Sequence, residues 1–237
     1  MLVSILIPCY NEKHTIEKLI FKVKKQKKIK KQIILVDDGS TDGTSKIIKS
    51  KLKSKVDKVI FHKKNLGKGS SIISAQKFIK GDIIIIQDAD LEYEPSDYYK
   101  LLKPFKNKLI NVVYGSRVLG RKQNINEFSF EKKFRIFGNF VLTKISNLLN
   151  RQDLTDVHTC YKLLRKNIFF KLKLEEKDFS FCSEVTTKLS KLNENIIEVP
   201  IKYNGRSYIH GKKISFKDAI LTIITILKYK ILFKDTK

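Results

Sequence analysis

Residues 83–95 read IIIIQDADLEYEP, and the fold follows from how this stretch is parsed. Four consecutive isoleucines, with no polar alternation, are the pattern of a strand buried on both faces. The strand runs into Asp88, Asp90 and Glu92. If the backbone stays extended to Asp90, side chains two apart point the same way, so the two aspartates converge and Glu92 joins after a small turn. Carboxylates crowded at the open end of a buried strand repel unless a cation sits between them. Oxygen-only ligands suit magnesium or manganese, and such a metal commonly cancels charge on a phosphate. The other reading is an acidic turn capping the strand and the helix that starts near Pro95.

Upstream, residues 2–7 (LVSILI) form a second buried strand that stops at Pro8, followed by the loop Cys9-Tyr10-Asn11-Glu12. A helix is expected from about Lys13 into the lysine-rich stretch 24–31, where positive charge suits the helix C-terminus. Residues 32–36 (QIILV) are the next strand and end in DDGSTDGT at 37–44. Its glycines allow a tight turn, and Thr41 or Asp42 caps a helix from Ser45. A short strand at 58–61 leads to NLGKG at 65–69 and a helix to about Phe78. Strands alternating with helices at this spacing form right-handed crossover units and a mainly parallel sheet, an α/β fold. In such sheets ligands bind at the carboxyl ends of the strands. The polar loops at 10–12, 37–38 and 88–90 therefore line one crevice. A P-loop is excluded, because His62 stands where its first glycine belongs, and no G-x-G-x-x-G follows a strand.

Downstream, residues 109–114 read as a strand leading to Gly115-Ser116-Arg117. Residues 128–149 have helical period, with Phe130, Phe134, Phe137, Val141 and Ile145 on one side, flanked by Lys132, Lys133, Arg135 and Lys144. This is either a packed core helix or a helix lying on a membrane surface. A polar turn at 156–162 precedes a strand, and residues 182–192 are a helix starting near Glu184. Residues 196–203 are an edge strand because they contain Pro200. A basic loop at 206–213 leads to a last amphipathic helix carrying Ile214, Phe216, Ile220, Ile223, Ile224 and Leu227. His14 and His62 read as surface residues, and His158 has no partner at zinc spacing.

The 237 residues are 42% hydrophobic, enough for one large domain, and carry a net charge of +25. Nucleic acid is a poor explanation for that charge. Such binding predicts aromatics interleaved with arginine, whereas arginine is scarce here and acidic loops would repel phosphate. A compositional bias toward lysine and attraction to an anionic membrane surface remain. Cys9, Cys160 and Cys182 are odd in number and unclustered, so they are expected to be buried thiols in a reducing compartment. No basic-then-apolar leader opens the chain, and no apolar run reaches the ~18 residues of a membrane span. A cytoplasmic protein, held peripherally at the membrane, is expected.

Seven motifs occur in order: IPCYNE at 7–12, VDDGSTDGT at 36–44, NLGKG at 65–69, QDADLEYEP at 87–95, GSR at 115–117, DVHTCYK at 156–162 and NGRSYIHGKKI at 204–214. With these the sequence resembles family 2 glycosyltransferases of the GT-A fold. It is most similar to the polyprenyl-phosphate sugar synthases of the dolichol-phosphate mannose synthase type. The resemblance covers nearly the whole chain. It implies one domain over 1–237, with a nucleotide-sugar half (1–115) and an acceptor half with amphipathic helices (116–237). It implies that Pro8, Tyr10, Glu12 and Asp38 hold the nucleotide, with Val36, Ala89 and Lys162 among the substrate contacts. Asp88, Asp90 and Glu92 would bind magnesium or manganese and, through it, the donor diphosphate. Arg117, Arg206 and Lys212 would contact phosphates, and Asp90, Arg117 and Arg206 would carry the catalysis. The implied reaction is an inverting transfer from GDP-mannose or a UDP-hexose to a polyprenyl phosphate. A phosphate acceptor is already ionised and needs no base. If the acceptor were a sugar hydroxyl of a surface polysaccharide, a carboxylate must take the proton, and Asp156 and Glu184 are the candidates, their other role being to cap the loop and helix that shape the pocket. The chain departs from the pattern at Glu92, where glutamine is usual, at Cys160, where glycine is common, and in having no C-terminal membrane helices. A catalytically dead scaffold is disfavoured because every expected carboxylate is present.

Overall fold

The structure is a computed structural model that describes residues 1–121, 130–206 and 216–233. The isoleucine run forms β4 (Ile83–Ile86), with no residue more than 1% exposed. Burying each of these side chains contributes ~1.5–3 kcal/mol, which places β4 at the centre of the sheet. β1 (Val3–Cys9) lies parallel on one side, with Val3 opposite Ile83. β6 (Lys162–Arg165) lies antiparallel on the other, with Ile84 opposite Leu164. β2 (Lys31–Asp37) and β3 (Lys58–Phe61) extend the parallel array beyond β1. β5 (Val112–Ser116) pairs antiparallel with β6, and β7 (Ile196–Pro200) runs parallel to β5. The order is β3-β2-β1-β4-β6-β5-β7.

The expected mainly parallel sheet is therefore present, with β6 alone running against the others. Its direction has a simple cause. The chain leaves β5 at the carboxyl edge, and Arg117, Asp156 and His158 all line the cleft on that side, so the strand that follows descends. β7 is at the sheet edge, where Pro200 can sit without an amide to donate.

Eight α-helices lie among the described residues: α1 (Ile16–Lys25), α2 (Thr44–Ile47), α3 (Lys68–Ala75), α4 (Tyr98–Leu102), α5 (Phe130–Asn150), α6 (Lys166–Lys171), α7 (Phe181–Lys191) and α8 (Phe216–Leu232). In α1, Ile16, Leu19, Ile20 and Val23 form the buried stripe and Lys22, Lys24 and Lys25 fill the last turn. It begins later than Lys13 because Glu12 accepts the Thr15 and Ile16 amides. Asp42 accepts the Thr44 amide at 2.9 Å at the start of α2. β5 starts at Val112 rather than at 109, since Leu109 is 84% exposed. All three cysteines are buried and free. β1 is followed on one side by β2 and β3 and flanked on the other by β4, so the chain reverses its spread between β1 and β4. Ligands bind at such a switch point.

Candidate active site

The carboxyl ends of β1, β2 and β4 open into a cleft of about 1540 Å³. Pro8, Tyr10 and Glu12 line it from β1, Asp38 from β2, and Asp88, Ala89, Asp90 and Glu92 from the turn after β4. Arg117 and Arg206 face them. Two expected contacts stand elsewhere. Val36 lies within β2 at 1% exposure and does not line the cleft. Lys162 is fully buried in β6, its Nζ donating to the Val157 carbonyl at 2.8 Å and lying 3.8 Å from the Tyr114 ring centre. Burial lowers its pKa to about 8. Lys212 and His210 lie outside the described residues.

The first two loops are stitched into one piece. Ser40 Oγ accepts the Asn11 amide at 2.9 Å, Asn11 Oδ1 accepts the Thr41 amide at 2.8 Å, and Thr44 Oγ1 accepts the Glu12 amide at 2.8 Å. Asp38 then fixes a third loop, accepting the Leu66 and Gly67 amides at 2.9 and 2.8 Å. His62 is not the surface residue expected. Its Nδ1 lies 2.6 Å from Asp38 Oδ1 and its Nε2 lies 2.9 Å from Ser74 Oγ. Local sequence carries no sign of this contact, which spans 24 positions between β2 and the end of β3.

The aspartates do not converge along an extended strand. β4 ends at Ile86, the backbone turns at Ala89 and Asp90, and Leu91 is held at φ 64°. Gln87 anchors this turn from below. It is fully buried, accepts the Tyr98 and Tyr161 hydroxyls at 2.6 and 2.7 Å, and donates to the Asp88 carbonyl at 2.9 Å. Above it, Asp88 Oδ1 meets Lys68 Nζ at 2.5 Å. Burial opposes the charge on Lys68, but Asp88 overcomes it and holds the pKa well above the usual lysine range. Burial, with Asp88 and Glu92 nearby, pushes the Asp90 carboxyl up to about 7.

This crowding fits a hard divalent cation at Asp88 and Asp90, whose donors are oxygens. The expected third ligand is differently employed. Glu92 accepts the Tyr203 hydroxyl at 2.7 Å and the Arg206 amide at 2.7 Å, and among the described residues no three acidic, cysteine or histidine side chains form a metal-holding group. Glu92 instead secures the segment that carries Arg206, whose guanidinium reaches Glu12 Oε2 at 2.5 Å and the Asp90 carbonyl at 3.1 Å.

On the far wall Asp156 clamps Arg117 through two side-chain contacts at 2.7 Å and accepts its amide at 3.0 Å. The Arg117 charge and its hydrogen bonds hold the Asp156 carboxyl below the usual range, even though burial works against them. Glu184 is fully buried, paired with Lys188 at 2.7 Å, and accepts the Glu175 and Glu176 amides. Both carboxylates thus have their oxygens engaged by protein partners. His158 lines the cleft, and burial lowers its pKa to about 4, so it is neutral at pH 7.

The same cleft is lined by Lys133, Ile136, Phe137, Asn139, Phe140, Leu142, Thr143 and Lys144 of α5 and by Leu221 and Thr222 of α8. These two helices pack on each other and on α7, and their buried residues are largely polar: Thr143, Ser146, Asn147 and Asn150 beside Leu142 in α5, and Thr222 and Thr225 beside Ile226 and Tyr229 in α8. Phe134 (69% exposed), Phe137, Phe140 and Leu148 of α5, and Ile224, Leu227 and Ile231 of α8, face outward. No helix among the described residues is long and apolar enough to cross a membrane.

This chain is similar to known proteins. A dolichol-phosphate mannosyltransferase of Pyrococcus furiosus is 30% identical over 90% of this chain, which spans 61% of that protein's length. A UDP-N-acetylglucosamine–dolichyl-phosphate N-acetylglucosaminyltransferase of Methanococcus voltae is 30% identical over 96% of both chains. Glucosyl-3-phosphoglycerate synthase of Mycobacterium tuberculosis, crystallised with Mn2+, UDP and phosphoglyceric acid, superposes with a TM-score of 0.69 at 16% identity over 99% of this chain and 80% of that one. The fold is that of the GT-A glycosyltransferases. The sequence profile described as glycosyl transferase family 2 matches residues 4–172, and the chain belongs to that family.

Proposed function

We propose that this protein is an inverting, metal-dependent glycosyltransferase that moves a sugar from a nucleotide-sugar, GDP-mannose or a UDP-hexose, to a polyprenyl phosphate at a membrane surface. One observation carries the reading: the cleft lined by Asp88, Asp90 and Arg117 is also lined by apolar side chains of α5 and α8, among them the exposed Phe137, Phe140 and Leu221. The dolichyl-phosphate acceptors in the relatives' names support it.

Asp38, Tyr10 and Pro8 would seat the nucleotide. Asp88 and Asp90 would hold magnesium or manganese, which when bound offsets charge on the donor diphosphate. Arg206, pinned by Glu12 and Glu92, supplies a fixed positive charge where the leaving diphosphate gains negative charge. Arg117, oriented by Asp156, presents the acceptor phosphate. An acceptor oxygen attacks the anomeric carbon from the side opposite the diphosphate, the bond to the leaving oxygen breaks, and the configuration inverts. A phosphate monoester is ionised at neutral pH, so no proton need be moved. That suits a cleft in which Asp156 is paired with Arg117, while Glu184 is buried with Lys188 and does not line the cleft, and it disfavours a hydroxyl acceptor. The outward apolar faces and the charge of +25 would hold the protein on anionic lipid.

The test combines ligand-dependent melting with transfer. A manganese-dependent rise in melting temperature with one sugar nucleotide, absent in Asp90→Ala, should accompany transfer of labelled sugar into a polyprenyl phosphate. Folded protein that answers to no sugar nucleotide, or that transfers only to hydroxyl acceptors, would refute the reading.

A further inference from the structure

The Lys68–Asp88 contact is unusual in its placement. A lysine from the NLGKG loop occupies one of the two carboxylates assigned to a divalent cation, at 2.5 Å, with the two side chains 12% and 23% exposed. The backbone that delivers it is held from two sides. Asp38 accepts the Leu66 and Gly67 amides, and the Lys177 carbonyl accepts the Ser70 amide at 3.0 Å. Gly67 has φ 98°, and a Cβ on Gly69 would strike the Glu176 carbonyl oxygen. The loop is thus fixed, while the four-carbon stem of Lys68 is free to swing.

From this we infer that Lys68 is the internal counter-ion of the metal site: it neutralises Asp88 while the cleft is empty and moves to the donor diphosphate when a divalent cation takes Asp88. The inference rests on the donor-site reading above. Its logic is electrostatic. A divalent cation on Asp88 would meet the Lys68 ammonium already 2.5 Å from the same carboxylate, so the two cations compete for it. Glu12 and Glu92 are engaged with the Arg206 segment and offer Lys68 no replacement. The donor diphosphate brings negative charge of its own and offers Lys68 a new partner. Metal and nucleotide then bind as a coupled pair, each strengthening the other by the same factor.

The experiment measures manganese binding by EPR on the full chain, alone and with UDP or GDP, in wild type, Lys68→Met and Lys68→Gln, with folding checked by circular dichroism. Wild type should bind manganese weakly alone and about 10-fold or more tightly with the matching nucleotide, within the usual range of coupling between sites. Both variants should bind manganese alone about 10-fold more tightly than wild type, bind the nucleotide alone more weakly, and lose most of the coupling. Coupled binding in wild type with unchanged manganese affinity in both variants would overturn the counter-ion role while leaving the donor site intact. No manganese binding by any of the three proteins, with or without nucleotide, would overturn both.

Discussion

Asp90 sits in a turn between two other carboxylates, and that crowding should be measurable as a stability cost in metal-free protein. Burial, Asp88 and Glu92 raise its carboxyl from 3.8 to about 7, with Arg206 working the other way. A carboxyl raised in the folded state contributes stability that is complete below the unfolded pKa of about 3.9 and is lost as pH climbs through the folded value. A rise of about three units corresponds to roughly 4 kcal/mol. Asp90 lies at a cleft mouth where water and Arg206 screen it, so about 2 kcal/mol is the working figure. Asp90→Asn removes the titration and keeps the shape. In EDTA the variant and wild type should unfold alike near pH 4. A gap should then open as pH rises, reaching about 2 kcal/mol in favour of the variant above pH 7, or roughly 4–8 °C in melting temperature for a chain this size. Urea unfolding at half-unit steps from pH 4 to 8.5 reads this directly, since titrations common to both proteins cancel. Manganese should close the gap by stabilising only wild type. Parallel stability curves across the whole range would mean that Asp90 is not crowded as the turn geometry requires.

Asp156→Asn leaves Arg117 half-paired in a buried site and should cost about 3 kcal/mol in urea unfolding. It should slow transfer without changing the shape of the pH–rate profile; loss of an acidic limb would instead make Asp156 a base. His62→Ala removes one of the two partners of Asp38 Oδ1, leaving the Leu66 amide, and should weaken nucleoside diphosphate binding about 10-fold by calorimetry, as expected for a hydrogen bond to a charged group. His62→Gln, which retains a donor, should recover most of that loss, and equal affinity in all three proteins would show that His62 does not tune Asp38. Phe134→Ser combined with Phe137→Ser should lower partition onto anionic phospholipid vesicles at least ~10-fold while leaving the melting temperature unchanged. A loss of melting temperature with no change in partition would make this face a core contact.

What could be read from the sequence was whatever local pattern reports. The run of isoleucines, the alternation of strands with helices, and the acidic loops at strand ends sufficed for a mainly parallel sheet and a crevice at its carboxyl edge. Local pattern does not report direction, so β6 could be seen as a strand but not as the one that descends. It also does not report pairing across the chain. The tie between Arg206 and Glu92 spans 114 positions, and the hub at Gln87 takes hydroxyls from Tyr98 and Tyr161, the latter 74 positions away. Asp156 looked like an available base because its cation, Arg117, stands 39 positions away; the partner of Glu184, Lys188, lies one helical turn on, a pairing that the i, i+4 spacing did carry. Lys68 was in plain view within NLGKG, yet its role follows from where the turn after β4 puts Asp88.

The packing of α5 and α8 bears on why the cleft is built as it is. A helix of a water-soluble protein normally turns its apolar stripe inward. Here threonine, serine and asparagine make up most of the buried face of α5 and share that of α8 with Ile226 and Tyr229, as in the Asn150 Nδ2 to Thr187 Oγ1 bond at 3.2 Å between α5 and α7, while several phenylalanines, isoleucines and leucines look out. Hydrogen-bonded polar packing gives up much of the apolar burial that would otherwise secure these helices, and a contiguous exposed apolar face marks an interaction surface. The same helices line the cleft that Arg117 lines, with Ile136, Phe137, Phe140 and Leu221 among the lining residues. On the proposed reading, an acceptor with an ionised head and a long hydrocarbon tail would set its charged end beside Arg117, which the Asp156 carboxylate orients, and its tail against these apolar side chains, and the exposed apolar residues of α5 and α8 would meet the membrane.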